Sequence, residues 1–205
     1  MSEGKGKAPM ITWRTDEELM LRYRDGDAAA FETLYRRYER PLFDFIYRLV
    51  PDSIDTESLF QETFFRVVRA RRKYRATAQF KTWLFQIAVN LCRDKARRMK
   101  HRSHLSLNSP LTTRGECRAE LQDLICDPAP AVDKSLEVSD LETAVKGAVE
   151  SLPEDEHLVV ILKEYQGLKY SEIAEIMNRP IGTLKSINHR AHDRLRSTLA
   201  QYLGE

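Results

Sequence analysis

Apolar side chains recur every three or four residues along most of the chain, which is the spacing of one face of an α-helix. In the first half this spacing predicts helices over residues 16–24, 28–49, about 55–74 and about 79–100. Asp27 is placed to cap the second of these helices. Pro41 lies inside the second helix and predicts a kink or a division there. Because the four helices can share one core, we predict a helical domain over residues 13–101, preceded by a disordered N-terminus over residues 1–12.

The helical spacing stops after residue 101 and resumes at about residue 139. The stretch between, residues 102–138, contains Pro110, Pro128 and Pro130 together with several serines and threonines, so it predicts a flexible linker. Beyond it the pattern predicts about four helices over residues 139–205. One of them is predicted over residues 154–166, with Gly167 at its end. No stretch alternates as a strand does. The predicted fold is all-α, with two helical domains joined by the linker.

Charge is unevenly distributed along the chain, although the formal net charge is only +2. Residues 66–102 contain thirteen basic residues and one acidic residue, Asp94, whereas residues 103–150 contain nine acidic and four basic residues. A basic excess of that size favours a polyanionic partner such as nucleic acid. A solvated helix face is the alternative interpretation of such a run.

The three cysteines, Cys92, Cys117 and Cys126, are an odd number and argue against a disulfide framework. A zinc site could be assembled from His101 and His104 with the last two cysteines, but the spacing matches no compact ligand pattern. Free structural thiols are the favoured interpretation, and we expect neither a metal nor a cofactor.

Membrane insertion is not expected, because no run of about 18 apolar residues is present. Residues 1–9 are polar and small and lack the apolar stretch of a signal peptide. With a mean hydropathy of -0.50, the chain is expected to be soluble and cytoplasmic.

Residues 170–191 have the spacing of a helix-turn-helix. Asn178 suits the end of the first helix because asparagine tolerates the left-handed conformation, and Pro180 prevents that helix from continuing. In the second helix the inward stripe is Leu184, Ile187, Ala191 and Leu195, which leaves outward Thr183, Lys185, Ser186, His189 and Arg190. These donors can reach base edges and phosphates in a major groove. A bare helical hairpin with solvated polar residues is the alternative.

The fourth predicted helix mixes aromatic and basic side chains, a combination that suits single-stranded DNA because bases stack and phosphates need neutralising. The alternative is that Phe80, Trp83 and Phe85 belong to the core. Phe80 lies in the apolar stripe, whereas Trp83 is expected to lie only partly inside it.

Two motif sets together resemble the bacterial RNA polymerase sigma factors of the extracytoplasmic-function (ECF) group, over about 150 of the 205 residues. The N-terminal set comprises Asp55, Glu57, Gln61-Glu62-Thr63-Phe64, Trp83-Leu84, Ile87-Ala88 and Asn90. The C-terminal set comprises Leu152-Pro153, Gly167-Leu168, Glu172-Ile173-Ala174-Glu175, Pro180, Gly182-Thr183, Lys185-Ser186 and His189-Arg190-Ala191.

The resemblance implies promoter-specific transcription initiation by a dissociable subunit that is not itself an enzyme. It implies sigma region 2 over residues 13–101, which binds core polymerase and the minus-ten element. It implies region 4 over residues 139–205, which binds the minus-thirty-five element. The implied partners are promoter DNA, the beta-prime clamp helices and beta flap of core RNA polymerase, and an anti-sigma factor.

The resemblance also implies three sets of contacts. Those to the clamp helices would be Asp55, Glu57, Gln61, Glu62 and Phe65. Those to the melted strand of the minus-ten element would be Arg75, Lys81, Trp83, Gln86, Asn90, Arg93, Asp94 and Arg97. Those to the minus-thirty-five duplex would be Lys185, Ser186, His189 and Arg190, with Thr183 on phosphate.

Five positions depart from the family pattern. Ser58 stands where an acid is usual, Lys169 where a capping serine is common and His192 where an arginine is common. Ile187-Asn188 replaces a basic and an aliphatic residue, so Asn188 is expected to be half-buried. The recognition helix has fewer cations than usual, which predicts weak, salt-sensitive duplex binding by the isolated domain.

Two other functions compete with the sigma factor. An ordinary helix-turn-helix regulator explains residues 151–205 but not the polar surface over residues 55–65. An enzyme is disfavoured because the sequence contains no Ser-His-Asp, P-loop, glycine-rich or metal-spaced motif.

Overall fold

The computed structural model describes residues 15–106 and 135–203, which are helical apart from short connections and include no strand. The helices are α1 (Asp16–Arg24), α2 (Ala28–Leu49), α3 (Ser53–Ala70), α4 (Phe80–Ser106), α5 (Ser135–Glu150), α6 (Glu154–Val160), α7 (Tyr170–Met177) and α8 (Ile181–Leu203). The all-α prediction is therefore confirmed. The predicted disordered N-terminus, the middle of the predicted linker, and Cys117 and Cys126 lie outside the described residues.

The helices form two compact units, one built on α1 to α3 with the start of α4 and the other on α5, α6 and α8.

In the first unit, local caps fix where the helices begin. Asp27 accepts hydrogen bonds from the backbone N–H groups of Ala29 and Ala30, as predicted, and Thr15 forms a capping box with Glu18. Each cap satisfies backbone donors that the first helical turn leaves without an intrahelical partner.

Helix α2 continues through Pro41 from Ala28 to Leu49, so of the predicted kink or division the division is wrong. Proline in a helix interior costs about 3 kcal/mol through the lost hydrogen bond and the clash with the preceding turn. On either side of the proline, Tyr38, Leu42 and Phe45 are buried. Each buried side chain of this size contributes roughly 1.5–3 kcal/mol, enough together to offset the proline.

Aromatic rings dominate the core of the first unit. Phe45, Phe80 and Phe85 are fully buried, and Phe45 meets Phe85 edge-on with ring centroids 4.9 Å apart. Cys92 is buried among the apolar side chains, and burial raises the pKa of its thiol to about 12. The thiol therefore stays protonated and packs as a small apolar group.

Acidic side chains of α1 fasten the other helices of this unit. The Glu17 carboxylate accepts a 2.7 Å hydrogen bond from the backbone N–H of Phe80, the first residue of α4. Asp16 accepts hydrogen bonds from the Arg37 guanidinium, at 2.6 Å, and from the Tyr38 hydroxyl of α2. Burial, followed by the Asp16 hydrogen bond, raises the pKa of that hydroxyl. Thus α1 orients two helices that follow it in the chain.

Aliphatic side chains dominate the core of the second unit, among them Val159, Ile161, Leu162 and Leu184. The predicted helix over residues 154–166 begins as α6 and widens into a π-helical stretch, Ile161–Tyr165. In this stretch the N–H of Gln166 donates to the carbonyl of Ile161, five residues earlier. Gly167, at φ 65°, ends the helix as predicted.

Helices α7 and α8 are joined by three residues, 178–180, in the predicted helix-turn-helix order. Asn178 has φ 51°, the left-handed conformation expected of it. Within α8, Leu184, Ile187 and Ala191 are buried, and Asn188 is half-buried as expected. In the part of the chain that the structure describes, no helix is both long and apolar enough to cross a bilayer.

Candidate polymerase and nucleic-acid interfaces

One face of α3 is polar and exposed, whereas the opposite face is buried through Leu59, Phe60, Thr63, Phe64 and Val67. The exposed face carries the residues predicted to contact the polymerase. Gln61 donates to the Glu57 carboxylate at 3.1 Å, and Glu62 pairs with Arg66 at 2.9 Å. Asp55 is half-buried in the first turn of the helix. The structure thus brings these residues together on one side of one helix.

Phe65 is an apolar residue within that polar face, and 53% of its surface is exposed. The Arg69 guanidinium lies 5.6 Å from the centroid of its ring. Ile54, three turns earlier on α3, is 76% exposed. An exposed aromatic ring flanked by charged side chains is typical of a protein-binding surface rather than of a solvated helix.

A cavity of about 360 Å³ lies where the connection between α3 and α4 meets the start of α4. Its lining comprises Ala70, Lys73, Tyr74, Arg75, Thr77, Ala78 and Trp83. The rings of Tyr74 and Trp83 are tilted against each other with centroids 5.1 Å apart, and both contact the Phe80 ring. Trp83 is half-buried, as expected, so one part of its ring packs in the core and the other lines the cavity.

The Tyr74 hydroxyl is buried without a hydrogen-bond partner among the described residues. Burial, and then the nearby charges of Glu17 and Asp16, raise the pKa of this hydroxyl to about 12. It therefore stays a neutral phenol at physiological pH, able both to donate and to accept a hydrogen bond.

A stripe of polar side chains runs along α4 from Trp83. Helical spacing places Gln86, Asn90, Arg93, Asp94 and Arg97 on the side of the helix that carries Trp83. These residues are half-buried or exposed, and Asp94 pairs with Arg97 at 3.6 Å. Arg75 adds a cation at the cavity itself.

Lys81 does not join this stripe. By helical spacing it lies on the opposite side of α4, and its ammonium is 5.9 Å from the centroid of the buried Phe85 ring.

The outward face of α8 carries the residues predicted to contact duplex DNA. Lys185, Ser186 and His189 lie at its centre, opposite the buried stripe, and all three are exposed. The Ser186 hydroxyl donates to the Gly182 carbonyl at 3.1 Å, and His189 Nδ1 lies 2.7 Å from Asp193. Thr183 is also exposed, towards one flank of that face.

Arg190 lies on this flank, where its Nε donates to the Glu156 carboxylate of α6 at 3.5 Å. Arg194, one turn further along α8, has its Nε 3.0 Å from the other oxygen of the same carboxylate. On the other flank, His192 is 3.5 Å from Glu164.

Sequence reasoning missed Lys73 and Tyr74 at the cavity and Glu156 beside α8. The available signals were the basic run just before Tyr74 and the proline before the acidic first turn of α6. Neither signal indicates which residue or ligand these side chains contact. Among the residues that the structure describes, no three potential ligand side chains cluster as a metal site would require. The zinc alternative relies on two cysteines outside those residues.

Family models match both parts of the chain: sigma-70 region 2 over residues 34–102 and sigma-70 region 4 over residues 143–195. The chain is 32% identical over 184 residues to the ECF RNA polymerase sigma-E factor of Escherichia coli K12, covering 87% of this chain and 91% of that protein. The chain belongs to the ECF sigma factors. The sigma-H factor of Pseudomonas aeruginosa is 29% identical over 196 residues, 96% of this chain and all of that protein.

The fold agrees with this family. A solved sigma factor, RpoE of Bartonella quintana in complex with the anti-sigma factor NepR, superposes with a TM-score of 0.62 at 22% identity, over 83% of this chain and 96% of that one. As a sigma factor, the protein directs promoter-specific initiation of transcription by RNA polymerase. Proteins of this family are initiation factors of transcription.

Proposed function

We propose that this sigma factor divides promoter recognition among the three surfaces described above. The exposed face of α3, through Asp55, Glu57, Gln61, Glu62 and Phe65, binds the beta-prime clamp helices of core polymerase. The cavity and the α4 stripe bind the minus-ten element, and α8 binds the minus-thirty-five element. The N-terminal domain spans residues 13–101, the linker 102–138 and the C-terminal domain 139–205.

The observation that carries the proposal is the cavity between Tyr74 and Trp83. Two rings and a partnerless hydroxyl suit a base that has left the stack of the melted strand, because a ring can stack on it and the hydroxyl can read its edge. Lys73 and Arg75 at the same cavity suit the adjacent phosphates. Gln86, Asn90, Arg93, Asp94 and Arg97 would follow the strand along α4. Lys81 is included in the proposed set because its positive charge attracts the phosphates of the strand, although it lies on the opposite side of α4.

The outward face of α8 is proposed to read duplex DNA in the major groove. Lys185, Ser186 and His189 reach base edges there, while Thr183 and Arg190 flank them towards phosphates. Regulation by an anti-sigma factor is part of the proposal, supported by the RpoE–NepR complex of similar fold. The proposal also includes the beta flap of core polymerase as a further contact. The protein acts in the cytoplasm, needs no cofactor and performs no catalysis of its own.

Transcription in vitro tests the proposal as a whole. Core polymerase with this protein, on genomic promoter fragments and without an anti-sigma factor, is expected to produce start sites that core alone does not. A pattern of starts identical to that of core alone would refute it.

The cavity is tested with a single-stranded oligonucleotide carrying the non-template minus-ten sequence of a promoter found in that assay. Trp83→Ala is expected to weaken binding by about 1–3 kcal/mol, the usual value of stacking one base on an aromatic ring. Trp83→Phe, which keeps a ring, is the matched control and should recover most of the affinity. Equal losses in the two variants would count against stacking.

The polymerase surface is tested with Gln61→Ala combined with Glu62→Lys. Binding to core in a pull-down titration should weaken, while duplex binding by the C-terminal part of the chain should not change. Glu32→Lys, an equal charge reversal at an exposed position of α2, is the control. Unchanged affinity of the double variant for core would remove this face from the interface.

A further inference from the structure

A carboxylate is buried beside the helix proposed to read the minus-thirty-five element. Glu156 of α6 is only 5% exposed. One of its oxygens accepts from Arg190 Nε at 3.5 Å, and the other lies 3.0 Å from Arg194 Nε. Removing a charged carboxylate from water is expensive unless it is paired, so these two guanidinium groups are what makes the burial tolerable.

The two arginines lie one turn apart on α8, at the boundary between its buried and outward faces. Leu184, Ile187 and Ala191 are on the buried side, and Lys185 and His189 are on the outward side. An apolar stripe alone fixes the rotation of a helix loosely, because apolar contacts are not directional. Glu156 makes two charged contacts with one flank of α8. These contacts fix the rotation of the helix, because turning α8 would change the distances from Glu156 to Arg190 and to Arg194.

We propose that Glu156 is a positioning residue for duplex recognition, acting through Arg190 and Arg194. It sets the rotation of α8, and therefore the direction in which Lys185, Ser186 and His189 project. It also holds Arg190 by Nε, which leaves the terminal nitrogens of a side chain that is 59% exposed available to a phosphate. The inference rests on the proposed function of α8 and adds to it a residue that contacts no DNA.

This role predicts that Glu156→Gln has effects of opposite sign on sequence-specific binding and on binding to any duplex. Glu156→Gln removes a negative charge beside DNA, and that change alone strengthens binding to any duplex. Loss of positioning weakens only the sequence-specific part. An ion pair that merely stabilised the fold would lower both kinds of binding, and an acid that merely repelled phosphates would raise both when it is removed.

The experiment uses the reconstituted holoenzyme. Its affinity is measured for a promoter fragment found by in-vitro transcription and for the same fragment with the minus-thirty-five element scrambled. For Glu156→Gln the ratio of the two affinities is expected to fall about tenfold, within the range that base-specific contacts supply. Affinity for the scrambled fragment should stay equal or rise. Glu154→Gln, an equal charge change at an exposed position of the same helical turn, should leave the ratio unchanged.

A second variant decides the matter if Glu156→Gln fails to fold by circular dichroism. Arg194→Lys keeps the positive charge at a side chain that is 60% exposed but replaces the planar guanidinium, whose Nε lies 3.0 Å from Glu156, with a flexible ammonium. It is expected to lower the affinity ratio severalfold, whereas a role through charge alone predicts no change. An unchanged ratio in a folded Glu156→Gln or in Arg194→Lys, or an equal loss on both fragments, overturns the inference. If the wild-type holoenzyme does not distinguish the two fragments, it is the proposed function of α8 that fails instead.

Discussion

Rings fill the core of the first unit, where Phe45, Phe80 and Phe85 are fully buried, whereas aliphatic side chains such as Ile161 and Leu162 fill the core of the second. In the first unit the ring cluster reaches the surface at Trp83 and provides a flat platform beside a cavity. The second presents polar side chains on a helix. Bases of a melted strand expose their faces, and bases of a duplex expose only their edges, so the two cores suit different states of DNA.

The two units also hold their proposed DNA-contacting helices in different ways. Glu17 accepts from the backbone N–H of Phe80 at the start of α4, and so uses none of that helix's side chains. Glu156 instead engages side chains of α8. A cap on the backbone fixes where a helix begins, whereas a clamp on side chains fixes how it is rotated. Removing the Glu17 cap should therefore affect the start of α4, whereas removing the Glu156 contacts should affect the rotation of α8.

The largest effect is expected for Phe80→Ala, which removes a fully buried ring at the centre of the aromatic cluster. Deleting a phenylalanine from a core costs about 3–5 kcal/mol. Urea denaturation followed by Trp83 fluorescence, in a Trp13→Phe background, measures it. Phe80→Leu, which keeps most of the apolar volume, should cost about 1.5 kcal/mol or less. A loss below that value for Phe80→Ala would show that the ring cluster does not organise this unit.

Glu17→Ala should destabilise the first unit by roughly 1.5–3 kcal/mol, the usual value of a hydrogen bond to a charged group. The same fluorescence assay measures it. Glu32→Ala, which removes an exposed carboxylate paired with Arg36 on α2, should cost about 0.5 kcal/mol or less. Equal effects of the two variants would mean that the cap on α4 adds no more than a surface pair.

In the second unit we expect a substitution that stabilises the fold, unlike the two preceding variants. The Asn188 side-chain oxygen is buried without a hydrogen-bond partner among the described residues. Replacing such a group with an apolar one of similar shape removes its desolvation penalty, so Asn188→Leu should stabilise α8 by about 1 kcal/mol. Hydrogen exchange of α8 in the full chain reads this out as slower exchange. Faster exchange would indicate that the amide has a stabilising role.

The smallest effect concerns pH. Burial lowers the pKa of His157, with the Glu150 charge opposing it, and its Nε2 has no partner in the described structure. The unfolded chain therefore binds a proton more readily than the folded one, so stability is full above about pH 6.5 and falls as the pH drops below it. His157→Gln should flatten this dependence, measured as the urea midpoint by circular dichroism at pH 7.5 and 5.5. Identical slopes for variant and wild type would contradict it.

Much of this architecture follows from local sequence. Asp27 as a cap, Gly167 as a helix end and Asn178 as a left-handed residue were each predicted, because their causes lie within a few residues. The half-buried position of Asn188 also follows from spacing, since it lies beside the inward stripe. These features depend only on periodicity and backbone conformation.

The parts that could not be predicted depend on partners far along the chain. Glu17 caps a helix that starts 63 residues later, and Glu156 meets an arginine 34 residues later. Helical spacing shows which face a residue occupies but not what lies against that face. The unbroken helix at Pro41 has the same origin, because the burial on either side of the proline belongs to the tertiary structure.

The π-helical stretch Ile161–Tyr165 makes one place in the second unit tolerant of a change in length. Its wide turn holds one residue more than an α-helical turn, because the N–H of Gln166 bonds the carbonyl five residues earlier instead of four. Deleting one residue there would let the segment close into a regular α-helix, with the parts before and after it in nearly the same rotation. Glu156 would therefore still face α8. The same deletion within α6 would turn the residues on its two sides by about 100° relative to each other, so a three-nucleotide deletion should be more damaging there than in the π-helical stretch.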